Sequence, residues 1–246
     1  MKEEINSIKN LLYSGQKVNV GLAISIMQGL GLTWNSKGFE DEKELVDLRG
    51  VDVFFNTDIY LSRKFLAAIP SSIAQLQNVK WFDLSDNKIS HIPESIGRLQ
   101  ILETINLKNN QIKSIPESIG KLHNLEKLWL QSNKLKTIPS AIGQLQSLKG
   151  MNLSDNQIKS IPESIGQLQN LEWLYLRHNQ IETIPSSIGH LHGLNYLYLS
   201  DNKISHIPES IGQLQNLETL WLDDNPISES EVNKIKELLP NCNVIF

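Results

Sequence analysis

The chain has 246 residues, 40% of them apolar and 20% charged, with a formal net charge of −4 and a pI near 5.9. That balance gives no electrostatic footing for nucleic acid, whose binders present a basic face, and the sequence has no basic amphipathic stretch of the kind that lies on membranes. The single cysteine, Cys242, excludes an intramolecular disulfide and a metal site built from paired thiolates.

Residues 1–47 carry no repeat. Ile5, Ile8, Leu11 and Leu12 have helical spacing. Asn19 is placed to cap a second helix through Met27, which Gly29 and Gly31 would end. The apolar run Val20–Leu32 is broken by Ser25 and Gln28 and falls short of the roughly 20 residues that a membrane span needs. No small-residue cleavage site follows it. The expectation for 1–47 is a helical N-terminal cap, with a docking segment as the second reading. No membrane insertion is expected, and low cysteine usage fits a cytoplasmic location.

From residue 48 to 227 the chain reads as a solenoid. Leu48, Val51, Val53 and Asn56 form a first, atypical repeat. An insertion at about 57–68 follows, expected to be a longer helix on the outer side. Then Asn87, Asn110, Asn133, Asn156, Asn179, Asn202 and Asn225 recur every 23 residues, giving seven regular strands. Ile-Pro keeps the same period from Ile69-Pro70 to Ile207-Pro208, as does glycine from Gly97 to Gly212. In the unit Leu171–Gly193, Leu174 and Leu176 alternate as a strand requires and point inward, while Tyr175 points out. Pro185 suits the first position of a short helical turn, and Gly189 can take conformations closed to other residues. The predicted class is α/β: a curved parallel sheet on a concave face, with short helical or 3-10 returns on the convex face. One such unit cannot bury its own flanks, so the units must stack and the ends must be capped. The seven asparagines are polar residues in an apolar column. They are expected to form a structural ladder, each amide bonding the backbone of its own loop and the next one.

Residues 228–246 read as a C-terminal cap. Ser228 caps a helix carrying Val232, Ile235, Leu238 and Leu239, Pro240 stops it, and Val244–Phe246 adds an edge strand. Cys242 is expected to be a small buried residue of this cap. No histidine follows His206 in sequence to activate it as a nucleophile.

The unit matches L-x-x-L-x-L-x-x-N-x-L, the signature of leucine-rich repeats. The run I-P-E-S-I-G-Q-L-Q-N-L-E-x-L-x-L-x-x-N-x-I, nearly intact from Ile161 to Ile181, resembles the bacterial and Ras-suppressor-like 23-residue members. Leu-Leu-Tyr-Ser-Gly at 11–15 and Leu-Pro-Asn-Cys at 239–242 also look like bacterial members. The resemblance covers about Leu48 to Asn225. It implies binding of proteins, peptides, glycans or small GTPases through the concave sheet, with no catalysis and no cofactor.

Function should then reside in the strand residues between the leucines, which face out. Trp81, Trp129, Trp173 and Trp221 lie there, as do Tyr175, Tyr196 and Tyr198. Five of these fall in the last three regular strands, and Tyr175, Tyr198 and Trp221 hold one strand position, so they should form a row. Exposed aromatic groups of this kind typify binding hot spots. The same row also reads as cross-strand stacking, worth roughly 0.2–1 kcal/mol per pair. Arg177 and His178 border it and could orient a carboxylate or carbonyl.

The seven strands carry ten acidic and five basic residues, which favours a protein or peptide partner with basic groups near an apolar anchor. Asp201, Asp223 and Asp224 lack the flexible oxygen-rich loop of a calcium site. His190 and His192 lie in the outer segment, not in a pocket, so no metal site is expected. The alternative reading is a surface or secreted glycan binder whose aromatic faces stack on sugar rings.

Overall fold

The computed structural model describes residues 58–69 and 71–246. The helices expected within 1–47 and the repeat begun at Leu48 lie outside the described residues. Among the described residues, nine three-residue strands form one open parallel sheet in chain order. They are β1 (Asp58–Tyr60), β2 (Trp81–Asp83), β3 (Thr104–Asn106), β4 (Lys127–Trp129) and β5 (Gly150–Asn152), then β6 (Trp173–Tyr175), β7 (Tyr196–Tyr198), β8 (Thr219–Trp221) and β9 (Asn243–Ile245). From β1 to β8 every strand pairs with the next at an offset of 23 residues, so equal positions in successive coils stand side by side. A five-residue 3-10 turn carries the chain back between strands, seven times among the described residues, from Ser71–Gln75 to Glu209–Gln213.

From β1 to β8 the middle residue of each strand and the residue after the strand point inward. Leu174 and Leu176, with their counterparts Ile105 and Leu107, are completely buried. Together with the isoleucines and leucines of the returns they form one continuous apolar core. Each coil supplies one slice of that core and covers the flanks of its two neighbours, which is why a coil taken alone has nothing to fold onto.

Each asparagine bonds its own loop and the preceding coil, not the next one as expected. Asn179 Nδ2 donates to the carbonyls of Leu153 and Leu176, each at 3.0 Å, and of Arg177 at 3.2 Å. Its Oδ1 accepts from Ile158 N at 2.9 Å. The same links recur from Asn87 to Asn225. The residue before each asparagine is left-handed, with φ between 53° and 58° from Asp86 to Asp224. Aspartate and asparagine tolerate that conformation better than most residues.

Three further expectations need correction. The described part of the expected insertion, residues 58–68, is not an outer helix. Asp58–Tyr60 is a strand, paired with Trp81–Asp83. Ile59 and Leu61 are completely buried and take the places of Phe82 and Leu84. Lys64 stands where the asparagine belongs, and its N–H and that of Leu66 both donate to Asn87 Oδ1. The 23-residue period therefore runs one coil further back than the asparagines show, so eight strands share it.

The second correction concerns proline. Pro185 does not begin the helical turn; it precedes Ser186–His190 in an extended conformation, φ −69° and ψ 150°, and its carbonyl accepts from Ile188 N at 3.1 Å. The third concerns the recurring glycine, which is required for space and not for its dihedral freedom. A Cβ on Gly189 would lie 2.3 Å from the Ser210 carbonyl oxygen, because adjacent returns touch there. The partner position is accordingly small: serine in most coils and Ala141 in one. The serine hydroxyls at 95, 118, 164, 187 and 210 are buried and unbonded, as expected of residues present for their size.

At the far end the helix α1 (Glu229–Leu238) starts at Ser228, whose side chain accepts from Glu231 N. Ile235 and Leu239 are buried against the last coil, and β9 continues the sheet beside β8. Cys242 is half-buried, and burial pushes its thiol above the ordinary value. No helix among the described residues is long and apolar enough to cross a membrane.

Candidate functional site

The side of the sheet that faces solvent carries two rows of side chains, set by the first and third residue of each strand. In the third-residue row the sheet register places Tyr175 beside Tyr198 and Tyr198 beside Trp221. Their rings make direct contact: Tyr175 meets Tyr198 edge-on with centroids 4.4 Å apart, and Tyr198 stacks on Trp221 at 3.7 Å and 14°. The run continues through Trp173, 5.2 Å from Tyr175, to Trp129, 4.9 Å from Trp173. Five rings thus form an unbroken ridge from β4 to β8, each half-buried against its neighbours. Stacking of this kind is worth roughly 0.5–1.5 kcal/mol per pair beyond area burial.

Trp129 and Trp173 are not on adjacent strands. Gly150 of β5 lets them meet. A Cβ at Gly150 would fall 1.7 Å from the Trp173 ring, so the indole lies flat over the glycine and reaches back to β4. This link lies outside the row expected from the sequence. The available signal was a glycine inside a strand, which often marks close approach of another group.

The remaining candidates divide into two groups. Trp81 stands on β2, 37% exposed, and among the described residues no ring contact links it or Tyr196 to the ridge. Tyr196 instead donates its hydroxyl to Glu218 at 2.6 Å, which raises its pKa. Burial raises the phenols of Tyr175 and Tyr198 as well, so all three are protonated donors at neutral pH. On the ridge's other flank, Arg177 Nε binds Asp201 at 2.9 Å, and His178 Nδ1 lies 3.6 Å from both Asp155 and Asp201. Asp223 accepts from Ser200 Oγ at 2.5 Å. These pairs tie neighbouring coils together and leave Arg177 partly committed.

Charge on this face is more constrained than its variable sequence suggests. Asp86, Asp155, Asp201 and Asp224 occupy the left-handed corner, so backbone conformation accounts in part for their residue type. Lys80 bonds Glu103 at 2.7 Å, and Lys149 lies 3.0 Å from Glu126. Such exposed pairs contribute roughly 0–1 kcal/mol each. His190 and His192 are exposed on the return side and take part there through their backbone carbonyls. Among the described residues no three potential metal ligands come together.

The third-residue row has a second population. Asp83, Asn106 and Asn152 occupy it in β2, β3 and β5, and each accepts a hydrogen bond from the N–H two residues on, at 2.9, 3.2 and 3.0 Å. In β1, β4 and β6–β8 aromatic residues (Tyr60, Trp129, Tyr175, Tyr198 and Trp221) replace that acceptor.

Known structures share this architecture. A leucine-rich-repeat protein of Leptospira interrogans aligns with a TM-score of 0.76 and 38% identity, over 79% of this chain and 50% of its own. An internalin of Listeria monocytogenes gives 0.62 and 27%, over 73% and 51%. The Arabidopsis receptor kinase HAESA, solved in complex with a peptide hormone and a co-receptor, gives 0.60 and 33%, over 65% and 28%. The chain spans about half the length of the first two proteins. No curated protein matches it significantly. The sequence profile of a leucine-rich repeat region matches residues 68–155 and 140–240, most of the chain. With nine parallel strands in register and an asparagine ladder behind them, this chain belongs to the leucine-rich-repeat family.

Proposed function

We propose that the chain is a binding module without catalytic chemistry, and that it takes a protein or peptide partner on the solvent-facing side of the sheet at β6–β8. The ridge Trp173–Tyr175–Tyr198–Trp221 is the observation that carries this reading. Contiguous aromatic side chains on a solvated face supply large, rigid contact area of the kind that dominates protein interfaces. Several similar structures are peptide-hormone receptors or complexes, which supports the same class of partner. The acids beside the ridge, Glu172, Glu218 and Asp224, favour basic groups on that partner.

The test is affinity capture from native lysate with the wild-type chain and with Tyr198→Ala/Trp221→Ala. Removing the stacked pair should weaken binding of a captured partner at least tenfold, with the circular dichroism spectrum unchanged. Equal affinity in a folded double variant contradicts the reading. A partner that proves to be a glycan, shown on a carbohydrate array, replaces it with the adhesion alternative.

A further inference from the structure

The residue that builds the ridge also governs the main chain beside it. In β2, β3 and β5 the aspartate or asparagine side chain accepts from the N–H of Ser85, Lys108 and Ser154. Tyr175, Tyr198 and Trp221 cannot do this. Among the described residues the equivalent N–H groups of Arg177, Ser200 and Asp223 have no acceptor. Ser200 is 3% exposed and sealed under its neighbours, whereas Arg177 is exposed and Asp223 half-exposed. Arg177 and Asp223 thus carry uncapped main-chain donors beside the β6–β8 part of the ridge, two strands apart, and the N–H of Gln131, two residues after Trp129, is likewise without an acceptor.

The opposite flank repeats at the same interval. Glu172 and Glu218 hold one position in the coils of β6 and β8, and both are exposed. Two strand spacings amount to roughly 9.6 Å. An extended β-strand laid across the sheet does not match that interval, because carbonyls on one side of it recur at about 6.6–6.8 Å. A polyproline-II segment does match. It has three residues per turn and a rise of about 3.1 Å, so equivalent groups recur at about 9.3 Å, and its carbonyls have no internal partner.

We propose that the ridge receives a basic polyproline-II segment of the partner, running across the strands. Carbonyl oxygens three residues apart accept from the N–H groups of Arg177 and Asp223, cationic side chains three residues apart meet Glu172 and Glu218, and proline rings lie on Tyr175, Tyr198 and Trp221. Aromatic surfaces suit such segments because the ligand is already ordered before it binds. This inference rests on the binding reading above and names the class of segment recognised.

The test uses ¹⁵N-labelled full chain and three probes: the acetylated, amidated peptide (Pro-Pro-Arg)₃, its (Pro-Pro-Glu)₃ counterpart, and cellohexaose. The arginine peptide should move the amide protons of Arg177 and Asp223 downfield and leave those of Ser85, Lys108 and Ser154 in place. Trp221→Asn, which supplies the side-chain acceptor seen at Asp83, should abolish the response at Asp223 and keep it at Arg177. Trp221→Leu removes the ring without capping the N–H and should keep a weakened response at both. Glu172→Gln and Glu218→Gln should each weaken binding roughly two- to fivefold, the worth of exposed ion pairs.

Binding that shifts the indole signals of Trp173 and Trp221 but not the two amides overturns this inference and leaves the binding face standing. An equal or stronger response to the glutamate peptide or to the sugar also overturns it. Silence toward all three probes does so too, with the capture experiment deciding the broader reading separately.

Discussion

Strands β2–β3 and β6–β8 are made from the same 23-residue coil, yet their solvent-facing sides differ in kind. Behind the sheet the two regions are interchangeable: Ile105 and Leu197 are both completely buried, and Asn110 and Asn202 make the same set of bonds. In front, Asp83 and Asn106 fold back onto their own main chain, while Tyr198 and Trp221 stack and leave the neighbouring N–H groups uncapped. The lesson is that one register position carries two alternative uses. An acidic or amide side chain there completes the coil's internal hydrogen bonding; an aromatic one forgoes that bond and presents surface.

The largest expected effect checks that the comparison starts from equal scaffolds. Asn110→Ala and Asn179→Ala each leave several buried backbone groups unpaired, at roughly 1–3 kcal/mol per group. Both should lose stability on the order of 3–5 kcal/mol in urea denaturation, and by similar amounts. A clear inequality would mean that the two regions differ behind the sheet as well as in front.

Gly150→Val comes next. The added side chain collides with the Trp173 ring, so the indole must leave β5 and its contact with Trp129 breaks. A loss of about 1–3 kcal/mol is expected for such overpacking, with a changed near-ultraviolet circular dichroism spectrum. Thr104→Val, at the same position on β3, should cost less than about 1 kcal/mol.

The main-chain difference is sharpened by hydrogen exchange. Asn106→Ala should cost about 0.5–1.5 kcal/mol, the net value of one hydrogen bond, and should speed exchange at Lys108. Tyr175→Ala should leave the already uncapped Arg177 amide unchanged. Protection of that amide in the wild type would break the contrast.

The smallest effect lies at the C-terminal end. Burial pushes the Glu231 carboxyl upward, but the bonds from Ile207 N and His206 together pull it below its ordinary value of 4.5. A depressed carboxylate stabilises the fold fully above its unfolded pKa, and that contribution is lost as pH falls through the folded value. Acid titration should therefore weaken the docking of α1 below about pH 4.5, and Glu231→Gln should remove that dependence.

The repeat made most of this architecture legible, because asparagine, Ile-Pro and glycine each report a different constraint on one coil. The coil at β1 escaped notice since Lys64 stands where the other coils have the asparagine. Its own signal was Ile59, Leu61, Leu66 and Ile69, the apolar positions kept in phase. The row Tyr175–Tyr198–Trp221 followed from the period alone. The link to Trp129 did not, because it depends on what Gly150 lacks. Four aspartates read as a surface charge signal are partly a backbone requirement, visible in sequence only as a column of Asp and Asn before the ladder residue.

The central claim is that recognition belongs to the aromatic region of the sheet and not to its aspartate- and asparagine-capped region. Hydrogen–deuterium exchange of the full chain with and without its captured partner tests this most directly. The account predicts new protection confined to the coils of β6–β8, including the Arg177 and Asp223 amides, with those of β2 and β3 unchanged. Protection over β2–β3, or over the 3-10 returns instead of the sheet face, would contradict it.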